Sequence, residues 1–260
     1  MSATVLAPVA LLAVWFGDWA FLLVLSAAVA LLANEWSVMS ARKAPLKVAA
    51  AIMITLLAAL FAAFRAPYLG GFGLAWTLVA ASAVISAIAA RLLGDAPEDA
   101  AFGALYIGVP CIALFWLRDA PQGRNWTFLL LAVTWAADIA AFAVGSLAKG
   151  PKLWPRFSPN KTWSGFAGGL VAAVAASMAV AFASHLKLSM GAAALMGLVG
   201  GLATMGGDLL ESILKRRFGV KDSGDLIPGH GGLLDRVDGL MFAILAIAAA
   251  RLIHLAGWAA

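Results

Sequence analysis

Cysteine, histidine and charge are all scarce in this chain of 260 residues. The single cysteine, Cys111, lies in an apolar run, so it supports neither an intrachain disulfide nor a thiolate cluster. Three histidines, His185, His230 and His254, argue against a zinc site of the usual Cys/His type. Charged residues make up 12% of the chain, whereas a soluble domain carries about a quarter. That shortfall argues against an ordinary soluble fold. A basic n-region is missing from the opening segment, which therefore reads as mature protein and not as a cleaved signal. Soluble domains, low-complexity linkers and internal repeats are also missing.

What is present is apolar: 63% of residues, with a mean hydropathy of +0.96. The runs are continuous and rich in Ala and Leu, without the alternation of a β-barrel, and many approach the roughly 20 residues of a transmembrane helix. The expected fold is all-α, a polytopic transmembrane bundle of about nine spans. These run roughly over 4–17, 19–36, 46–64, 71–93, 100–117, 126–148, 165–186, 189–214 and 234–256. The first is short for a crossing and is divided from the second by Gly17 and Asp18; a re-entrant hairpin is the alternative. One integral membrane domain is expected over 1–260, with N-terminal spans in 1–120 and catalytic spans and loops in 121–260.

Charge tests the count. Of the 18 basic residues, thirteen fall in or beside the even-numbered connections. They are Arg42, Lys43, Lys47, Arg91, Lys149, Lys152, Arg156, Lys161, Lys215, Arg216, Arg217, Lys221 and Arg236. The positive-inside rule then makes those connections and the N-terminus cytoplasmic. It also places the two longest polar loops, about 149–164 and 215–233, on the cytoplasmic side. The net charge of +5 agrees with the same pattern, so a nucleic-acid partner is not expected. Membrane lipids are.

Several acids stand where a span should be apolar. Asp138 interrupts the sixth run, Asp208 and Glu211 the eighth, and Asp235 and Asp238 open the ninth. A charged carboxylate costs roughly 2.5–3.5 kcal/mol at mid-helix on insertion scales, so such residues usually face a polar interior and serve a function. A structural ion pair near the interface is the plainer alternative for any one of them. Asp208, Glu211 and Lys215 share one helix face, as do Asp235 and Asp238. Aspartates converging from the ends of spans 8 and 9 would suit a hard divalent cation. Two such ions about 4 Å apart could clamp phosphates.

The loop between those spans supplies the complement. Lys215, Arg216, Lys221 and Arg236 suit a polyphosphate and an anionic lipid head. Gly229, Gly231 and Gly232 let backbone amides approach phosphate oxygens. A positive-inside anchor on anionic lipid is the bland reading of the basic run. His230 fits a hydrogen-bonded scaffold as well as proton transfer. The other loop repeats the theme with Lys149, Ser158, Lys161 and Thr162, and Trp154 and Trp163 suit interface anchors. Glycines at 165, 168, 169, 197, 200, 201, 206 and 207 are most simply close-packing positions between helices.

Residues 212–238, SILKRRFGVKDSGDLIPGHGGLLDRVD, resemble throughout the signature of the phosphatidate cytidylyltransferase (CDP-diacylglycerol synthase) family. The pattern is filled by Ser212, Leu214, Lys215, Arg216, Lys221, Asp222, Gly224, Ile227, Pro228, His230, Gly231, Gly232, Leu233, Asp235, Arg236, Val237 and Asp238. Upstream, Asp138 to Phe142 and Ser158 to Gly165 match two further family elements. Ser164 stands where many members carry an acid, and Ala148 where many carry glycine. The motifs cover roughly 125–240; the N-terminal third matches only as apolar spans.

The resemblance implies transfer of a cytidylyl group from CTP to phosphatidate, giving CDP-diacylglycerol and pyrophosphate. It implies magnesium held by Asp208, Asp235 and Asp238, with a second cation, magnesium or potassium. Lys215, Arg216, Lys221, Arg236 and His230 become the expected catalytic groups. Ser158, Lys161, Thr162, Asp138, Ser212, Asp222, Gly231 and Gly232 become the expected ligand-binding positions. A homodimer is compatible with this reading. A CDP-alcohol phosphotransferase shares Asp235-x-x-Asp238-Gly239, but Leu240-Met241-Phe242-Ala243 lacks the Ala-Arg of that family's motif. A cytidylyltransferase acting on an isoprenoid ether lipid would use the same headgroup chemistry. A secondary transporter would more often show repeated halves and broken helices.

Overall fold

The computed structural model describes residues 3–155, 158–224 and 231–257. Among the described residues the chain forms nine α-helices and one short hairpin. The helices are α1 (Ala3–Phe16), α2 (Asp18–Ser40), α3 (Pro45–Phe64), α4 (Gly73–Leu93), α5 (Pro97–Asp119), α6 (Gly123–Ala148), α7 (Trp163–Ala183), α8 (Met190–Phe218) and α9 (Leu234–Leu255). Eight of them, α2 to α9, are long and apolar enough to cross a membrane. The protein is a multi-pass integral membrane protein. The first run is helical but short: its 14 residues reach about 21 Å against a hydrocarbon core of about 30 Å. At the other extreme, the 29 residues of α8 reach about 43 Å, so its basic end extends past the apolar layer.

Two compact units can be told apart. The first is Met1–Asp119 with Phe218–Arg236, and the second is Ala120–Arg217 with Val237–Ala260. The polar segment leading into α9 therefore groups with the N-terminal helices.

In the first unit, turn chemistry holds the helix ends. The Asp95 carboxylate accepts the amides of Arg42 (2.8 Å), Lys43 (2.9 Å) and Ala44 (2.9 Å), which joins the α2–α3 turn to the α4–α5 turn. Desolvation opposes ionisation of Asp95. The three amides and the Lys43 ammonium outweigh it and hold the carboxyl below its usual range. At the opposite end, Arg118 Nε donates to the Val14 carbonyl at 2.7 Å, which links the end of α5 to the α1–α2 turn. Glycine admits the tightest packing: a Cβ on Gly103 would overlap Trp36 Nε1, so α5 lies directly against that indole.

The second unit packs on small residues, as expected where lipid tails leave little hydrophobic drive between helices. A Cβ on Gly165 would meet the Ala141 carbonyl at 2.6 Å, and one on Gly169 the Ala137 carbonyl at 2.8 Å, so α7 lies backbone to backbone on α6. Gly197 meets Ala173 and Val174 of α7 in the same way, and Ser177 Oγ donates to the Ala193 carbonyl beside it (2.7 Å). Arg251 Nη2 donates to Pro121 O (2.6 Å) and its guanidinium stacks over Trp126, fixing the end of α9 to the start of α6.

The loop after α6 contains an antiparallel pair that the sequence does not announce: β1 (Lys152–Trp154) and β2 (Ser158–Thr162). Thr162 closes it as the N-cap of α7, its Oγ1 accepting the Gly165 amide at 3.1 Å. Ser164 Oγ donates to the Lys149 carbonyl and sits 3.1 Å from Thr162 Oγ1, which binds the two ends of the hairpin together. Ser164 thus has a local structural use.

Candidate active site

The acids of the second unit come together because α8 and α9 cross at glycine. A Cβ on Gly207 would stand 2.6 Å from the Asp238 carbonyl, and one on Gly239 would stand 2.8 Å from the Thr204 carbonyl. At this crossing Asp208 and Glu211 on α8 face Asp238 on α9. Asp138 on α6 is an electrostatic neighbour of both Asp208 and Asp238. Lys161, carried by β2, forms an ion pair with Asp208, and Lys215 pairs with Glu211 at 3.3 Å one turn along α8. Glu211 is 1% exposed and is a neighbour of Asp238. Four carboxylates and two lysines thus share one neighbourhood in an otherwise apolar bundle.

The first unit holds Lys221, Asp222, Gly231, Gly232, Asp235 and Arg236. Asp235 Oδ2 accepts from the Ser223 amide (2.9 Å), Ser223 Oγ (2.9 Å) and the Gly232 amide (2.8 Å). Those bonds close the segment on itself ahead of α9. Gly231 has φ +79°, and a Cβ there would approach Asp235 Oδ2 to 2.7 Å, so glycine is required on both counts. Gly232 has no room for a side chain either, since a Cβ would overlap Ser223 Oγ. Lys221, Asp222 and Arg236 are exposed, as is Arg216 at the end of α8. His230 lies outside the described residues, as do Ile227 and Pro228.

The expected residues therefore divide. Asp138, Lys161, Asp208, Lys215 and Asp238 are brought together in the second unit. Asp222, Gly231, Gly232, Asp235 and Arg236 belong to the first. Thr162 and Ser158 serve the hairpin, as helix cap and as the strand partner of Trp154. The donors suit a hard cation, being carboxylate oxygens without thiolate or imidazole. As the side chains stand, no three acids, histidines or cysteines among the described residues are arranged to hold one metal ion. Asp208 faces Lys161 instead.

Two contributors are not among the expected site residues. Glu211 is visible in the sequence as an acid within the eighth run, but its closeness to Asp238 is a tertiary fact. Glu35, 4% exposed in α2, accepts the amides of Leu233 (2.8 Å) and Leu234 (2.7 Å) at the start of α9. A signal for it exists in the sequence: a lone acid in the run LLANEWSVMS is as anomalous as Asp138.

The sequence profile of the cytidylyltransferase family matches residues 1–254. The chain belongs to that family. Among curated cytidylyltransferases, the phosphatidate cytidylyltransferase of Brucella suis is 49% identical over 158 residues, covering 60% of this chain and 56% of the relative. Those of Staphylococcus haemolyticus and Staphylococcus aureus are 38% identical over 149 and 153 residues, each match covering 56% of both chains. The matched stretch thus spans little more than half the length of these curated cytidylyltransferases.

Proposed function

We propose that the protein transfers the cytidylyl group of CTP to phosphatidate, releasing pyrophosphate, on the cytoplasmic face of a bacterial inner membrane. The observation that carries this reading is the cluster of Asp138, Lys161, Asp208, Glu211, Lys215 and Asp238 at the α8–α9 crossing of a cytidylyltransferase-family chain. Such a set, with both signs of charge in an apolar bundle, suits phosphate chemistry more than fold stability.

In the reaction a phosphate oxygen of phosphatidate attacks the α-phosphorus of CTP. The bond from that phosphorus to the bridging oxygen of the β-phosphate breaks, and pyrophosphate leaves with the electron pair. The attacking monoester is already largely dianionic near neutral pH, so no strong base is required. What remains is to hold two anions in line and to neutralise charge on the leaving group. Lys161 and Lys215, each now paired with a carboxylate, would exchange that partner for phosphate oxygens. Arg216, Lys221 and Arg236 would supply further positive charge suited to an anionic headgroup. Asp208 and Asp238 would hold magnesium, and Asp235, one turn before Asp238 on α9, is the third acid that the family resemblance assigns. Bound magnesium, with a second magnesium or potassium ion, supplies charge neutralisation at the phosphates.

The test is direct. Purified protein is incubated with magnesium, phosphatidate and α-labelled CTP, and label is traced into the lipid phase while pyrophosphate is measured in water. Both products should rise together and require magnesium. Absence of labelled lipid across several lipid and salt conditions would refute the activity, and an isoprenoid ether lipid tested in parallel separates the second acceptor class.

A further inference from the structure

We propose that Glu35, on the second helix, is a positioning residue that sets the first turn of α9. The inference rests on the functional reading above, since that turn carries Asp235 and Arg236 and leads to Asp238. The first amides of an α-helix have no partner within the helix and must find one elsewhere. Here Glu35 Oε1 takes the Leu233 amide at 2.8 Å and Oε2 takes the Leu234 amide at 2.7 Å. The carboxylate is buried, and an acid at this end also suits the helix dipole. A two-oxygen grip fixes rotation of the turn as well as its position. A single bond would leave the turn free to pivot.

The surroundings are built to this carboxylate. A Cβ on Gly232 would come 2.7 Å from Glu35 Oε2, and one on Gly224 would come 3.3 Å from its Cγ. Gly232 is thus needed for Glu35 to reach the backbone, and Gly224 leaves it a close-fitting channel. The next residue, Trp36, holds the other end of the same segment. Its ring meets Phe218 edge-on at 5.7 Å, and its Nε1 donates to the Asp99 carbonyl at 2.9 Å. Consecutive residues of α2 therefore grip both ends of the segment from 218 to 234. The amides of Gly232, Leu233 and Leu234 are spent on the Asp235 and Glu35 carboxylates. The glycines around 231 serve this internal grip directly.

The test compares Glu35→Gln, Glu35→Asp and Leu32→Ala in the full-length protein. Glutamine keeps the size but presents an NH2 group to one of two donors. Aspartate is shorter but keeps two acceptors. Leu32→Ala removes a buried apolar side chain from the same helix and controls for stability alone. Amide exchange over residues 231–236 should quicken roughly tenfold or more in Glu35→Gln, the loss of a charge-assisted bond. Its kcat per folded protein should fall by a similar factor. Glu35→Asp should recover most of both, and Leu32→Ala should change neither. Wild-type exchange and kcat in Glu35→Gln would overturn the proposal, as would an equal loss in Leu32→Ala. Should the wild-type protein make no labelled lipid, the functional reading falls, and the exchange experiment alone decides whether Glu35 holds the turn.

Discussion

Gly207 meets the backbone carbonyl of Asp238 so closely that a Cβ built on it would stand 2.6 Å away. This contact, returned by Gly239 against the Thr204 carbonyl, sets how near the acids of α8 come to that of α9. Gly207→Val should therefore cost about 1–3 kcal/mol through overpacking and abolish turnover by separating the two helices. Gly206, which has open space at its Cβ position, is the control. Gly206→Ala should leave both thermal unfolding in detergent and turnover close to wild type.

Asp235 and Asp238 should respond differently to amide substitution. Asp238→Asn is expected to lower turnover by a factor on the order of a hundred or more with the segment around 231–235 still protected from exchange. Asp235→Asn is expected to lose turnover and that protection together, because Oδ2 holds Ser223 and Gly232. Equal exchange in the two variants would show that those bonds do not order the segment.

Much of this is legible in the residues alone. Helix ends fall within a few residues of the expected spans because apolar runs and their flanking charges specify where a helix enters lipid. Asp138, Asp208 and Asp238 stand out by their cost in an apolar setting, and the structure places them as neighbours. The hairpin of Lys152–Trp154 and Ser158–Thr162 is not legible, since strands this short carry no period. Nor is the grip of Glu35 on Leu233 and Leu234. Those residues lie nearly two hundred positions apart, and nothing local to either predicts the pairing. In sequence the glycines of the polar segment suit phosphate approach, and the structure shows a packing reason for Gly231 and Gly232.

The Thr162 cap offers a test of stability alone, read by unfolding and not by turnover. Thr162→Ala should lower stability by about 1 kcal/mol, and Thr162→Ser should restore most of it, since either hydroxyl can accept the Gly165 amide. Thermal unfolding in one detergent checks both.

Asp95 carries a pH signature. Its folded pKa lies below the usual value, so its contribution is present above the unfolded pKa of about 3.9 and is lost as pH falls through the lower folded value. Asp95→Asn should therefore be less stable than wild type at neutral pH, with the gap closing as the pH drops below about 4. A gap that stays constant down to strongly acidic pH would contradict the three-amide assignment.

The central claim is that the α-phosphorus of CTP, and no other, passes to phosphatidate. Parallel incubations with α-labelled and γ-labelled CTP test it most directly. The account predicts α-label in the lipid and γ-label recovered wholly as pyrophosphate. Label from the γ-position in lipid, or none from either, would contradict it.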